Sequence, residues 1–188
     1  MELIVLGLVA SIGFAGYAWW SKARAAELTT PPELEAPERT VGTLQVGDIV
    51  QHLGTDWLVE GVLTLSDDGR GTRLYRLADG ALERFLFAGH AEPEAALLAA
   101  APGVQVEGAP ERVEHDGQSY QLKTRESAAV LREGTVGERR ALNAGSRVGV
   151  AAYTAGALRL VVLSWADQCD AFVGERVPTH LLEFLPGK

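Results

Sequence analysis

A chain of 188 residues with a formal net charge of −8 and one cysteine, Cys169, is already excluded from several function classes. Nucleic-acid binding draws its affinity from clustered Lys and Arg, and the nearest thing to a cluster here, Arg132, Arg139 and Arg140, is interrupted by Glu133 and Glu138. A lone cysteine rules out an intramolecular disulfide and supplies no sign of an oxidising compartment.

The chain opens on Leu3 to Trp20, LIVLGLVASIGFAGYAWW, without a charged side chain. A helix of that length, at 1.5 Å rise per residue, nearly matches a bilayer core of about 30 Å. In lipid the backbone must satisfy its own polar groups, so Gly7, Gly13 and Gly16 do not veto a helix. Tyr17, Trp19 and Trp20 belong at the headgroup layer, and Lys22 and Arg24 follow them. Residues 1–26 are therefore predicted to be a transmembrane anchor. Glu2 precedes it and the cations follow it, which by the positive-inside bias places the remainder in the cytoplasm. The alternative is an exported soluble domain, with residues 1–25 removed as a signal peptide at Ala23-Arg24-Ala25; the missing basic region before the apolar stretch argues against it. A third reading, a helix buried in a soluble domain, is disfavoured because apolar residues occupy every side of the segment and leave a surface helix no polar face to present to water. Gly7, Ser11 and Ala15 recur every fourth residue and offer a small-residue face for self-association.

Residues 27–42, with Pro31, Pro32 and Pro37 set among acids, read as an extended linker that holds the following domain off the bilayer. Beyond it, residues 43–188, roughly 145 in number, suffice for one domain with a sizeable core or two small ones. Turn pairs punctuate β-branched or alternating runs: Gly54 before Trp57–Thr64, Asp68-Gly69 before Arg73–Leu77, Asp79-Gly80 before Leu82–Phe87, and Asp116-Gly117 before Gln118–Leu122. Arg147–Tyr153 and Leu158–Trp165 flank Thr154-Ala155-Gly156 as a further hairpin with a slightly longer loop. The predicted fold is all-β, a mainly antiparallel small barrel or sandwich. One short helix is predicted over about 93–101, from Pro93, the acids Glu92 and Glu94, and the Ala-rich run stopped by Pro102-Gly103. It would divide β units of about 43–90 and 104–188; as to duplication, LQVGDIV aligns with little beyond SRVGVAAY.

The order of the segments LQVGDIV (44–50), WLVEGVL (57–63), Tyr75-Arg76-Leu77, Glu83-Arg84-Phe85-Leu86, HDGQSYQL (115–122), Tyr153, the run ending at Trp165, and Phe172-Val173-Gly174-Glu175 resembles a bacterial domain of unknown function, number 4178 in that series. The resemblance covers nearly everything from Thr43 onward. It implies a β-rich bacterial domain, often found near membrane proteins, and transfers no catalytic residue.

Chemical candidates are few. His52, His90, His115 and His180 show no metal-ligand spacing, and Cys169 between Gln168 and Asp170 reads as a small strand residue. Neither a nucleophile elbow nor a phosphate-cradling loop is present, and no metal or cofactor is expected. Glu60 shares a strand face with Leu58, Val62 and Thr64, where an arginine such as Arg73 or Arg84 would pair with it. Trp57, Tyr120, Tyr153 and Trp165 are the aromatics able to line a groove, or to fill a core. These residues leave two readings. One is a non-enzymatic module, tethered at the cytoplasmic face of the membrane, that binds a membrane-associated protein or a ligand by a sheet edge or aromatic groove. The other is a hydrolase or transferase using Glu60, Glu83 or Glu175, which needs two carboxylates converging in one pocket.

Overall fold

The turn chemistry sets the architecture. In a computed structural model of the chain, which describes residues 38–67, 70–89, 94–136, 145–166 and 168–187, the strands are β1 (Ile49–His52), β2 (Thr55–Asp67), β3 (Arg70–Asp79), β4 (Leu82–Ala88), β5 (Glu94–Ala100), β6 (Arg112–His115), β7 (Gln118–Gly134), β8 (Arg147–Ala155), β9 (Leu158–Trp165), β10 (Gln168–Pro178) and β11 (Glu183–Leu185). A 3-10 turn at Thr179–Leu181 is the sole helical element among the described residues. The expected anchor, including Leu3, Trp19, Trp20, Lys22 and Arg24, and the linker up to residue 37 lie outside the described residues. Among those described, no helix is long and apolar enough to cross a membrane.

Two of the tight turns show why particular residues stand there. Leu53-Gly54 joins β1 to β2 with φ of 49° and 79°, and Asp116-Gly117 joins β6 to β7 with φ of 46° and 73°. Both are two-residue turns with both central φ positive, whose twist suits a β-hairpin. The loop between β8 and β9 is shorter than predicted, because Ala155 already pairs with Leu158.

The strands run β11-β1-β2-β3-β4-β5-β10-β9-β8-β7-β6, and a further pairing of β2 with β7 closes β2–β5 and β7–β10 into an eight-stranded antiparallel barrel. Eight strands leave an interior that side chains can fill. Leu63 and Leu65 (β2), Leu74 (β3), Phe85 and Phe87 (β4), Leu98 (β5), Val130 (β7), Val150 (β8), Leu163 (β9) and Phe172 (β10) fill it, with the Phe85 and Phe172 rings 4.6 Å apart. On the outside, one apolar cluster gathers around Leu44, Val50, Trp57 and Tyr75, and another around Val104, Val113, Tyr120 and Tyr153.

The helix expected over 93–101 is a strand. Glu94–Ala100 pairs with β4 along one edge and with β10 along the other. Alanine and leucine favour a helix intrinsically, but two waiting ladders and burial on both faces override a weak propensity. The same strand carries the sheet across the expected internal boundary.

The fold is nevertheless built from two repeats, β1–β5 and β6–β10. In each, an X-Gly turn joins a short strand to a long one, with Val50 opposite Trp57 in the first and Val113 opposite Tyr120 in the second. Each long strand then bulges at the same place, between Val59 and Gly61 and between Leu122 and Thr124. Register past the bulge also corresponds: Gly61 faces Arg76 as Thr124 faces Ala152, and Leu74 faces Phe87 as Val150 faces Leu163. An approximate two-fold relates the halves, and the cross-repeat pairs Ser66–Ala129 and Ala99–Val173 map onto themselves under it. Glycine permits the close approach at both seams. A Cβ on Gly174 would run into the Leu97 carbonyl, and one on Gly61 into the Thr135 carbonyl.

Candidate functional site

The two-fold also shows where the halves differ. In the first repeat, β5 is paired along its start by the end of β10: Glu94 faces Pro178, Ala95 faces Val177 and Ala96 faces Arg176. The residues of β10 that correspond to Glu94–Ala96, by their register on β9, are Gln168–Asp170. Their counterpart neighbours would be Pro102–Val104. That ladder stops one bond earlier, at Ala101 N–H to Ala171 C=O (2.8 Å), and Val104 N–H turns back to the Ala101 carbonyl (3.1 Å). Proline has no amide to offer a ladder, and Gly103 follows it. Pro102-Gly103, predicted to stop a helix, ends a strand pairing instead.

Where the strands part, a cleft of about 1280 Å³ opens between residues 101–108 and the β9–β10 hairpin. Trp165 flanks it, half-buried against the barrel interior, and its Nε1 donates to Gln168 Oε1 at 3.3 Å. Cys169 packs toward the second outer cluster with Sγ 3.8 Å from the Val104 carbonyl. Asp170, only 5 % exposed, stands beside it on the opposite face of the strand. Glu107 and Gln105 border the other wall, and among the described residues no basic one lines the cleft. Cys169 is the small strand residue expected, in β10, whereas Asp170 carried no expectation. The available signal was an acid in a strand whose next lumen-facing residue is Phe172.

The other predicted aromatics do not join Trp165. Trp57 belongs to the first outer cluster, while Tyr120 and Tyr153 belong to the second, all three buried. Burial raises the hydroxyl pKa of Tyr120 and of Tyr153 above the ordinary tyrosine value. Burial does the same at Tyr75, against the opposing hydrogen bond and charge of Arg73.

Glu60 sits in the β2 bulge and pairs with Arg76, rather than with Arg73 or Arg84. Arg76 also binds Glu83, so two of the three candidate carboxylates converge on one partly exposed guanidinium. Glu175 lies on β10, opposite Leu97 and Leu158. A second, smaller cleft brings His52 and His180 together with Asp56 and Glu183. His115 contacts Asp116 at 3.4 Å, and His90 lies outside the described residues. Among the described residues, no three His, Cys, Asp or Glu side chains are grouped to hold a metal ion.

One carboxylate missed in the sequence has a structural task. Asp48, 2 % exposed, ion-pairs with Arg39 (3.1 Å) and accepts from the amides of Gln45 (2.8 Å) and Gly187 (2.9 Å). It thereby ties both ends of the described domain to β1.

The model of the Domain of unknown function (DUF4178) matches residues 45–179. The chain belongs to this family. The DUF4178 match spans both repeats and takes in every strand of the barrel. No curated protein and no solved structure matches. Gly47-Asp48, Gly61 and Gly174, all within the segments that carry the resemblance, act here in backbone geometry: Gly47 has φ 95°, Asp48 knots the termini, and the other two admit the seams.

Proposed function

We propose that this DUF4178 chain is a non-enzymatic binding module, held at the cytoplasmic face of a bacterial membrane by residues 1–26, which takes a membrane-associated protein partner in the cleft beside Trp165. One observation carries the reading. On a barrel whose interior is filled with apolar side chains, a cleft of about 1280 Å³ opens where a strand pairing between the repeats is broken off. Such a break exposes main chain beside aromatic, amide and acidic side chains, a surface suited to recognition and without an evident nucleophile–base pair. The apolar opening segment and its cationic close supply the tether and its direction. Coordination of both acids by Arg76 favours a structural task for Glu60 and Glu83 over the hydrolase or transferase reading.

Cys169 permits one experiment on both parts, because it is the only thiol and lines the cleft. An impermeant maleimide should leave it unlabelled in intact cells. After permeabilisation, labelling of the membrane-bound protein should be slower than labelling of the purified chain, because the partner covers the thiol. Labelling in intact cells would overturn the topology. Equal rates before and after purification would overturn occupancy of the cleft, and recovery of the full chain in the soluble fraction would overturn the tether.

A further inference from the structure

The repeats also differ at their outer ends, where β1 and β6 are equivalent strands: Val50 faces Trp57 as Val113 faces Tyr120. Their hydrogen bonds agree. Val59 N–H donates to the Asp48 carbonyl at 2.8 Å, and Leu122 N–H donates to the Glu111 carbonyl at 2.9 Å. Alternation from those bonds turns the amide and carbonyl of Ile49 and Gln51, and likewise of Arg112 and Glu114, away from the long strand. On β1 that outward edge is taken by β11, with Leu185 opposite Ile49, Phe184 opposite Val50 and Glu183 opposite Gln51. On β6 the sheet ends. Among the described residues no strand lies beyond it, and no backbone hydrogen bond outside the ladders reaches Arg112 or Glu114. Both side chains are exposed.

Parity and charge decide which strand fits this edge. An antiparallel partner must set its own outward-pointing residues opposite Arg112 and Glu114, and a second β6 has such residues at the same two positions. Three registers keep that parity. Centred on Arg112, the pairing sets arginine against arginine and brings Glu114 opposite Pro110, which has no amide. Centred on Glu114, it sets glutamate against glutamate and runs Arg112 into the turn residue Asp116. Centred on Val113, it puts Arg112 of each copy opposite Glu114 of the other, with the two valines side by side on a two-fold axis. That register has the same three-residue span and the same alternation as β11 on β1. A charged edge deters pairing when like charges meet, but here the change of sign makes the strand complementary to itself.

We infer that a second copy of this chain binds at β6, the two strands pairing antiparallel about Val113 so that the sheets of the two copies join edge to edge. Arg112 of each copy exchanges a pair of backbone hydrogen bonds with Glu114 of the other and faces its carboxylate across the strands. None of Arg112–His115 lines the cleft beside Trp165, so this pairing stands or falls apart from the cleft.

The test uses the full chain in native membranes, carrying Cys169→Ser and a single new thiol. Residues opposite one another in a non-hydrogen-bonded antiparallel pair have Cα atoms about 4.5 Å apart, within reach of a disulfide. Val113→Cys is expected to give a disulfide-linked dimer under mild oxidation, and Ser119→Cys, on β7 opposite Glu114, is expected not to. Adding Arg112→Glu or Glu114→Arg alone should cut the Val113→Cys dimer yield about tenfold by setting like charges opposite, and the two together should restore it. No dimer from Val113→Cys, equal dimer from Ser119→Cys, single charge changes without effect, or a double change without recovery would overturn the inference. Adducts of Val113→Cys with another protein in place of a second copy would overturn it too. Because Val113 is buried, carbodiimide coupling supplies a readout that leaves it in place. Arg112→Lys should then yield a covalent dimer that Glu114→Gln abolishes; no dimer, or a dimer that survives Glu114→Gln, would contradict the pairing.

Discussion

Gly174→Ala puts one methyl group into the seam between the repeats, and the geometry sets its sign. The new Cβ would collide with the Leu97 carbonyl oxygen and lie 2.8 Å from Leu98 Cα, so every atom it meets first is backbone. Backbone in a ladder cannot swing aside as a flexible side chain can, and the Gly174–Leu98 pair must open. Overpacking of this kind costs about 1–3 kcal/mol or more. Against it stands a gain of roughly 0.4–1 kcal/mol from the restricted unfolded chain. The net expectation is a loss of about 1–2 kcal/mol, which for a domain of this size lowers the melting midpoint by about 2–8 °C. Gly71→Ala is the matched control, since its Cβ would meet only Thr64 Cγ2 at 3.9 Å, within the same sheet and without positive φ. It should stabilise by roughly 0.4–1 kcal/mol. Equilibrium urea unfolding of both variants, compared at unchanged m, measures the difference. A Gly174→Ala protein as stable as wild type, or shifted in the same direction as Gly71→Ala, would refute the claim that this seam closes only around glycine.

Three further outcomes follow from buried polar groups. Tyr153→Phe removes a buried hydroxyl without a hydrogen-bond partner and should be neutral or mildly stabilising, whereas Tyr75→Phe strands the Val41 carbonyl, which accepts from Tyr75 at 2.7 Å, and should cost about 1 kcal/mol in the same urea assay. Because Tyr75, Tyr120 and Tyr153 hold their protons more tightly folded than unfolded, their contribution is intact below about pH 10 and is lost as pH rises from there through the raised folded values. Melting midpoints across pH 9 to 12 should fall accordingly, less steeply in Tyr153→Phe. Asp48→Ala leaves Arg39 without its ion-pair partner and the Gln45 and Gly187 amides without their acceptor, and should cost about 3–5 kcal/mol by urea unfolding; a loss below about 1 kcal/mol would contradict the knot.

The all-β antiparallel class was legible because turn pairs such as Asp116-Gly117 carry their own backbone requirement, and a hairpin needs little else to be recognised. Closure into one barrel was not legible. It depends on β2 reaching β7 and β5 reaching β10, pairings between residues distant in sequence that leave no local pattern. The strand Glu94–Ala100 was misread for the same reason, since its alanines reveal intrinsic preference and not the two ladders that claim them. The duplication was obscured because equivalent positions keep geometry rather than identity. Leu53 stands where Asp116 does, and Trp57 where Tyr120 does. Of the proposed binding residues, Trp165 alone lines the cleft. Its neighbours Cys169 and Asp170 become conspicuous only once the twin edge at Glu94–Ala96 shows what is missing beside them.

The most direct test of the cleft as the binding site is photo-crosslinking in native membranes. A photoreactive side chain is placed in the full chain either at exposed Gln105, in the cleft wall, or at exposed Leu131, on β7 outside it. A discrete protein adduct from position 105, absent from position 131, is the predicted result. Adducts formed equally from both positions, or none from position 105, would contradict it.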